Sequence, residues 1–431
     1  MKKRKIFYHG WMSVFLRYQL GNHPVFQFTK YPPDGYYIER LPNVKSRGVA
    51  AFFKNRVVRL NALFCIVRYS IKFLLNGVRF RYIKRFWKSR EIKWQEIERI
   101  IPGRDTIAIY PSALFFIPNH SWIVEIEDMF TPMLPHINHG SLISLDKSSR
   151  QIIKIMEVLF MEKECVGILS HLDSTAEGLR TLFKDSLGVA EKISSIPLGR
   201  KVGNFPARAR KNNNEKVNIL FMSGWSQDPS ALARRGLIDA LEAFNIVSSK
   251  KPNNVTLRLR CPIPNDLSRR HLDMIYDNPE IYILDKKLPI EEIDNLYGSS
   301  DILLFPAIRL AVTTLLQAMN HSCAIVTADG FGIDEYVKHG VNGLVAKGWS
   351  GKSGYFDSDG MFQEDYKLAN FPNKDVYTQA AQHIIQLVED RDMLLRYQLA
   401  SLDVLKEEFS IENWNKKFKG VLDKAVILSC R

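Results

Sequence analysis

The sequence predicts an α/β protein built from two Rossmann-like domains that face one another across a cleft. Three observations predict it. The chain has 431 residues, room for more than one hydrophobic core. Short apolar runs alternate with helical stretches of about ten residues, the pattern of a parallel sheet covered on both faces. This alternation stands on both sides of one polar segment, RKVGNFPARARKNNNEK (200–216), which contains Gly, Pro and three consecutive Asn and has no apolar period. The expected division is therefore 1–203 and 214–408, with an amphipathic stretch, FSIENWNKKFKGVLDKA (409–425), as a terminal helix.

Before the joint, TIAIYPSALFFIPN (106–119) reads as buried strand and SSRQIIKIMEVLF (148–160) has helical spacing. CVGILS (165–170) is a short strand, AEGLRTLF (176–183) a helix, and KISSIPLG (192–199) leads the chain out. After the joint the strands VNILFMSG (217–224), VTLRLRCP (255–262), IYILD (281–285), DILLFPA (301–307) and CAIVTAD (323–329) are separated by helices. Those helices are RGLIDALEAFNIVSS (235–249), LSRRHLDMIY (267–276), EEIDNLYGSS (291–300) and VTTLLQAMNH (312–321). Ligands of such sheets bind beyond the carboxyl ends of the strands. No GxGxxG fingerprint occurs, which counts against a dehydrogenase.

A hydrophobic content of 46% and a charged content of 25% are ordinary for a globular chain. The net charge of +14 is concentrated: residues 1–100 hold 22 Lys/Arg against 5 Asp/Glu. Its densest part, VRFRYIKRFWKSREIKW (78–94), sets Arg81, Lys84, Arg85 and Lys88 among aromatics. Such a mixture suits an anionic membrane surface or nucleic-acid phosphates, or is a solvated helix face. No nucleic-acid-binding motif accompanies it, so no nucleic-acid partner is expected. Five scattered cysteines, without a CxxC pair, argue against a disulfide framework or zinc site and for a reducing compartment. The N-terminal apolar run is broken by His9 and Arg17, and ALFCIVRYSIKFLL (62–75) by Arg68 and Lys72, so neither reads as a signal peptide or span. The expectation is a cytoplasmic protein, with peripheral attachment to the inner membrane face as the role of the basic patch.

Four pieces of the second half, in order, carry a resemblance: SGW (223–225), RRGLIDALEAF (234–244), LPIEEIDNLYGSSDILLFPA (288–307) and FGIDEYVKHGVNGLV (331–345). Together they resemble the donor-binding domain of family 4 glycosyltransferases, which are retaining, nucleotide-sugar-dependent enzymes of the GT-B fold. The first half resembles the family only diffusely, through ILSHLDSTAEGLRTLF and ISSIPLG (168–199). The resemblance implies that the terminal helix, about 409–431, packs back onto the acceptor-binding first domain.

The resemblance also assigns residues. Gly224 falls in the loop after the first strand of the second domain, and Arg235 at a position where the family has a lysine. Thr313 and Thr314 open a helix whose unpaired N–H groups and partial positive charge favour a phosphate, although threonines also cap helices. The family has two glutamates eight positions apart; here they fall on Arg309 and Gln317. Glutamine keeps a carbonyl acceptor for ribose hydroxyls. Arginine has none, and three readings stay open: recognition of an acidic donor sugar, a phosphate contact, or lost catalysis. Gly330 and Gly332 would allow backbone approach to the sugar, followed by Glu335. In PNHSWIVEIED (118–128) the histidine that the family places near the sugar falls on His120. His120, His136 and His139 lack metal-ligand spacing, and the fold implies no metal or cofactor.

The expected function is thus transfer of a sugar from a UDP- or GDP-linked donor to a glycan or lipid-linked acceptor, in cell-surface polysaccharide or glycoconjugate synthesis. A non-catalytic GT-B-like subunit that binds a partner or acceptor is the competing expectation, and Arg309 and Gln317 are the residues that favour it.

Overall fold

The computed structural model describes residues 4–8, 30–40, 56–90, 107–111, 121–133, 140–209, 211–223 and 231–429. Two six-stranded parallel sheets organise the chain. The first has the order β2-β1-β3-β4-β5-β6, with β1 (Arg4–Tyr8), β2 (Tyr36–Arg40), β3 (Ile107–Pro111), β4 (Ser121–Glu125), β5 (Cys165–Ser170) and β6 (Ile193–Ser195). The second has the order β12-β11-β10-β7-β8-β9, with β7 (Val217–Met222), β8 (Val255–Arg260), β9 (Ile281–Ile283), β10 (Ile302–Phe305), β11 (Ala324–Ala328) and β12 (Leu344–Ala346). This is the GT-B architecture.

The strands are near-continuous apolar runs because helices cover both of their faces. Every residue of β5, β10 and β11 is buried. In the second sheet the chain leaves β7 in one direction through β8 and β9, then crosses over to β10 on the other side of β7. The crevice between the carboxyl ends of β7 and β10 is consequently a topological switch point, where such sheets bind ligands.

In the first domain, α1 (Arg56–Leu75) and α2 (Phe80–Arg90) form a hairpin beside α3 (Lys147–Met161), and α4 (Asp173–Leu182) follows β5. In the second, α5 (Leu237–Lys250) follows β7, α6 (Ile290–Gly298) precedes β10, and α7 (Val312–Asn320) follows it. Helices α8 (Lys374–Glu389) and α9 (Arg391–Glu407) cover the second sheet. The last helix, α10 (Ile411–Ser429), returns to the first domain. Tyr36 donates its hydroxyl to Asp423 Oδ1 at 2.6 Å, and Asn415 Nδ2 donates to the Tyr31 carbonyl at 2.8 Å. Gly199 admits this helix: a Cβ there would lie 2.4 Å from that of Trp414.

The two domains are in direct contact. A small hairpin of the second, β13 (Tyr355–Phe356) and β14 (Phe362–Gln363), reaches across the interface. Phe362 packs edge-on against Phe130, ring centroids 5.6 Å apart, and Gln363 Oε1 accepts from the Ile143 backbone at 3.0 Å. The Tyr336 hydroxyl accepts from Leu198 N at 2.9 Å and donates to the His171 carbonyl at 3.1 Å, tying two first-domain segments to one side chain.

Candidate active site at the domain interface

The second-domain wall is assembled after β7 and β10. A short helix, Ala231–Arg234, delivers Arg235, and Gly236 then starts α5 with φ +80°. A Cβ at Gly236 would stand 2.2 Å from the Pro306 carbonyl oxygen, so glycine is what lets the two loops close on one another. Arg235 Nη1 donates to the carbonyls of Leu310 (2.8 Å) and Arg309 (3.4 Å), which fixes its guanidinium against the loop leading into α7. Burial, reinforced by the neighbouring Arg234, lowers its pKa to about 10, so it stays charged near neutrality. Part of its surface remains accessible.

Thr313 and Thr314 occupy the first turn of α7 and are half-buried. Neither is the cap: the residue before the helix is Ala311, and no side chain caps this terminus. This helix start lies next to Arg235, which bonds the Arg309 and Leu310 carbonyls just before it, and a helix N-terminus beside a cation favours an anion.

Arg309 is a buried bridge between the domains. Its guanidinium pairs with Asp128 of the first domain, with Glu364 at 3.4 Å and with the Tyr366 hydroxyl at 3.1 Å. Burial alone would depress its pKa; Asp128 and then Glu364 outweigh that and raise it. The cleft-facing cation expected at this position is therefore already occupied by protein carboxylates. Gln317 is buried and donates its amide to Asp294, while its Oε1 has no partner. His321 stands alongside, 3.1 Å from Asp294, with the ring of Phe205 from the interdomain segment tilted against its own, centroids 3.8 Å apart.

The loop after β11 closes on the first domain. Gly330 crosses the Ala307 carbonyl, where a Cβ would come to 2.2 Å, and Gly332 (φ +73°), in the left-handed region that favours glycine, faces the Leu172 side chain, whose methyls lie 2.9 Å from where a Cβ would stand. Glu335 accepts from Asp173 N (2.5 Å), Ser174 N (3.0 Å) and Ser174 Oγ (2.6 Å), and so caps α4 of the other domain. Burial raises its pKa, against these hydrogen bonds, which pull the other way. In this closed arrangement Gly332 and Glu335 meet protein atoms where a sugar was expected.

The first-domain wall supplies groups of a different kind. His120 and Gly224 lie outside the described residues. β4 begins at Ser121 and carries its other end, through Glu125, to Glu127 and Asp128. Asp128 accepts from Phe130 N at 2.6 Å and spends its other oxygen on Arg309. Glu127 is half-buried, its carbonyl accepting from Thr175 Oγ1 at 3.1 Å; its carboxylate takes no partner among the described residues. It lies in the field of Arg235 across the interface. His171, directly after β5, is buried with both ring nitrogens unpartnered. Burial lowers its pKa, opposed by Glu127, so the ring is neutral near pH 7. Glu127 was passed over in the sequence in favour of His120 in the same motif, and His171 was not singled out at all. Both follow the carboxyl end of a strand, the signal that would have found them.

Residues 218–352 match the family model for glycosyl transferases group 1. No curated protein sequence matches the chain. Among solved structures the fold is similar to a glycosyltransferase from Rickettsia africae, at TM-score 0.53 and 12% identity over 99% of both chains. It is also similar to HepE of Anabaena, solved with UDP and glucose, at TM-score 0.52 and 12% identity over 97% of this chain and 99% of that one. TarM of S. aureus matches at TM-score 0.50 and 14% identity over 76% of this chain, which spans 57% of TarM's length.

Proposed function

We propose that the protein is a retaining glycosyltransferase that moves a sugar from a UDP- or GDP-linked donor to a glycan or lipid-linked acceptor in polysaccharide or glycoconjugate synthesis on the cytoplasmic side. One observation carries the reading: Arg235 and the uncapped start of α7 stand at the switch point of the second sheet, opposite the unpartnered Glu127 and His171 of the first domain. The group 1 match over 218–352 and the UDP and glucose bound by HepE support the choice of donor.

In the transfer, the bond between the sugar C1 and the β-phosphate oxygen breaks and the electron pair leaves on the diphosphate. Arg235 and the α7 N–H groups meet that charge as it develops. The acceptor hydroxyl oxygen bonds C1 on the same face, and its proton passes to a leaving phosphate oxygen. Glu127 and the neutral His171 hold sugar or acceptor hydroxyls in the interdomain cleft. Charge compensation comes from Arg235 and the helix terminus, so no metal or other cofactor enters the scheme.

The second reading, a non-catalytic subunit, is favoured by Arg309 and Glu335, each taken up by the opposite domain. Calorimetry with UDP and GDP, followed by turnover with a panel of nucleotide sugars, separates the two. Binding with turnover supports the enzyme; no nucleotide binding, with acceptor binding intact, overturns it.

A further inference from the structure

The hairpin of α1 and α2 is apolar where it should not be. Cys65, Tyr69 and Phe73 of α1 are buried against the first domain, and the helix is pinned there by Lys72, whose ammonium pairs with Glu162. The opposite face is also apolar. Phe64, Val67, Ile71, Leu74 and Leu75 are exposed, Phe64 by 69% and Leu75 by 80%, and Phe80 at the start of α2 by 70%. At 100° per residue these α1 positions fall within an arc of about 100°. A helix apolar on both faces needs a second apolar environment, and a contiguous exposed patch of this kind marks an interaction surface.

Its rim identifies the partner. Arg79, Arg81, Lys84 and Arg85 are exposed along α2, and Lys88 belongs to the same helix. Residues 56–90 contain ten Lys/Arg and no Asp or Glu. A second copy of the chain would bring the same positive charge to the contact. Nucleic acid would satisfy the charges but leave Leu74, Leu75 and the aliphatic row in water. An anionic bilayer satisfies both: acyl chains take the apolar ridge and lipid phosphates the basic rim. Among the described residues no helix is long and apolar enough to cross a membrane, and the arginines and lysines of α1 keep it in the interfacial plane.

We infer that the α1–α2 hairpin is a membrane-docking element that lies on anionic bilayers, α1 inserting its exposed apolar ridge and α2 setting its basic residues on the phosphates. The basic patch alone would give a purely salt-sensitive contact; the ridge adds a contribution that salt does not remove. This inference is independent of the sugar-transfer reading.

Cosedimentation of the full chain with phosphatidylcholine vesicles, with and without phosphatidylglycerol, tests it. Binding should require phosphatidylglycerol and persist in part in strong salt. Phe64→Ser, Leu75→Ser and Phe80→Ser combined should lower partitioning roughly a hundredfold, these being exposed side chains whose loss leaves the core intact. Arg81→Gln, Lys84→Gln and Arg85→Gln combined should remove the salt-sensitive part. Thermal melts of each variant check that it folds. The inference is overturned if wild-type binding vanishes entirely in salt, if the serine variant binds as well as wild type, or if the ridge instead drives self-association in ultracentrifugation. Tighter binding to a single-stranded oligonucleotide than to any vesicle would overturn it too.

Discussion

The two walls of the cleft differ in how their polar groups are spent. On the second-domain wall, the residues that the motifs single out are largely satisfied by protein: Arg309 by Asp128 and Glu364, Glu335 by the start of α4, Gln317 in part by Asp294. On the first-domain wall, which resembles the family only diffusely, the Glu127 carboxylate and the His171 ring have no partner among the described residues. Buried polar groups are normally paired, so the His171 ring, buried without a partner beside Glu127, is a candidate contact for a ligand. Arg309 and Glu335 thus tie the domains together, while the Glu127 carboxylate and the His171 ring are left without a partner among the described residues.

Arg309 gives that contrast its largest test. Arg309→Met should cost on the order of 3–5 kcal/mol of stability, because it strands two buried carboxylates. Arg309→Glu should cost more, adding a third carboxylate to the same pocket. Chemical denaturation measures both. If the substitutions leave stability intact and change only the choice of donor, Arg309 belongs to the donor site, and selective loss with acidic sugars would assign it there.

Next in size is Glu127→Gln, which removes a charge without altering shape. Turnover should fall about 10²-fold or more, while the melting temperature and UDP affinity stay near wild type. A matching loss of stability would mean that Glu127 is structural and that the walls do not differ as described.

How much of this was legible in the sequence depends on the range of the interaction. β7 and β10 were legible because strands buried on both faces become continuous apolar runs, and α7 because its period continues through LLQAM. Arg235 was legible as a cation at the start of a helix after β7. The pairing of Arg309 with Asp128, 181 positions apart, was not, since periodicity reports the face a residue occupies and not what meets it. His171 lies between Ser170 and Leu172, all three buried, and such a stretch reads as core until the ring is seen to lack partners. The ridge on α1 was hidden for a related reason: its two apolar faces cancel, so the helix shows little amphipathic pattern in sequence.

Arg235 sharpens the comparison from the other side, as a motif cation on its wall that keeps accessible surface. Arg235→Ala should weaken UDP or GDP binding by about 1.5–3 kcal/mol, the scale of a charged hydrogen bond. Calorimetry reads this directly. Unchanged affinity would remove Arg235 from the site and leave the second-domain wall wholly structural.

The smallest effect is expected at Glu335. Its carboxylate accepts from two backbone N–H groups and a hydroxyl at the start of α4, and Leu172, the residue before that helix, offers no side-chain cap. Glu335→Ala should therefore cost about 1 kcal/mol, the usual value of a lost cap, and Glu335→Gln less, since an amide oxygen still accepts. Hydrogen exchange should speed up at Asp173 and Ser174 in the alanine variant, because those amides lose their acceptor. The same measurement distinguishes a donor role. If Glu335 turns to a bound sugar, adding donor to the wild-type protein should expose the same two amides, and Glu335→Ala should raise the KM for donor while leaving the melting temperature unchanged. Protection that is insensitive to donor, with a lower melting temperature in the variant, keeps Glu335 as the cap by which one domain holds the helix of the other.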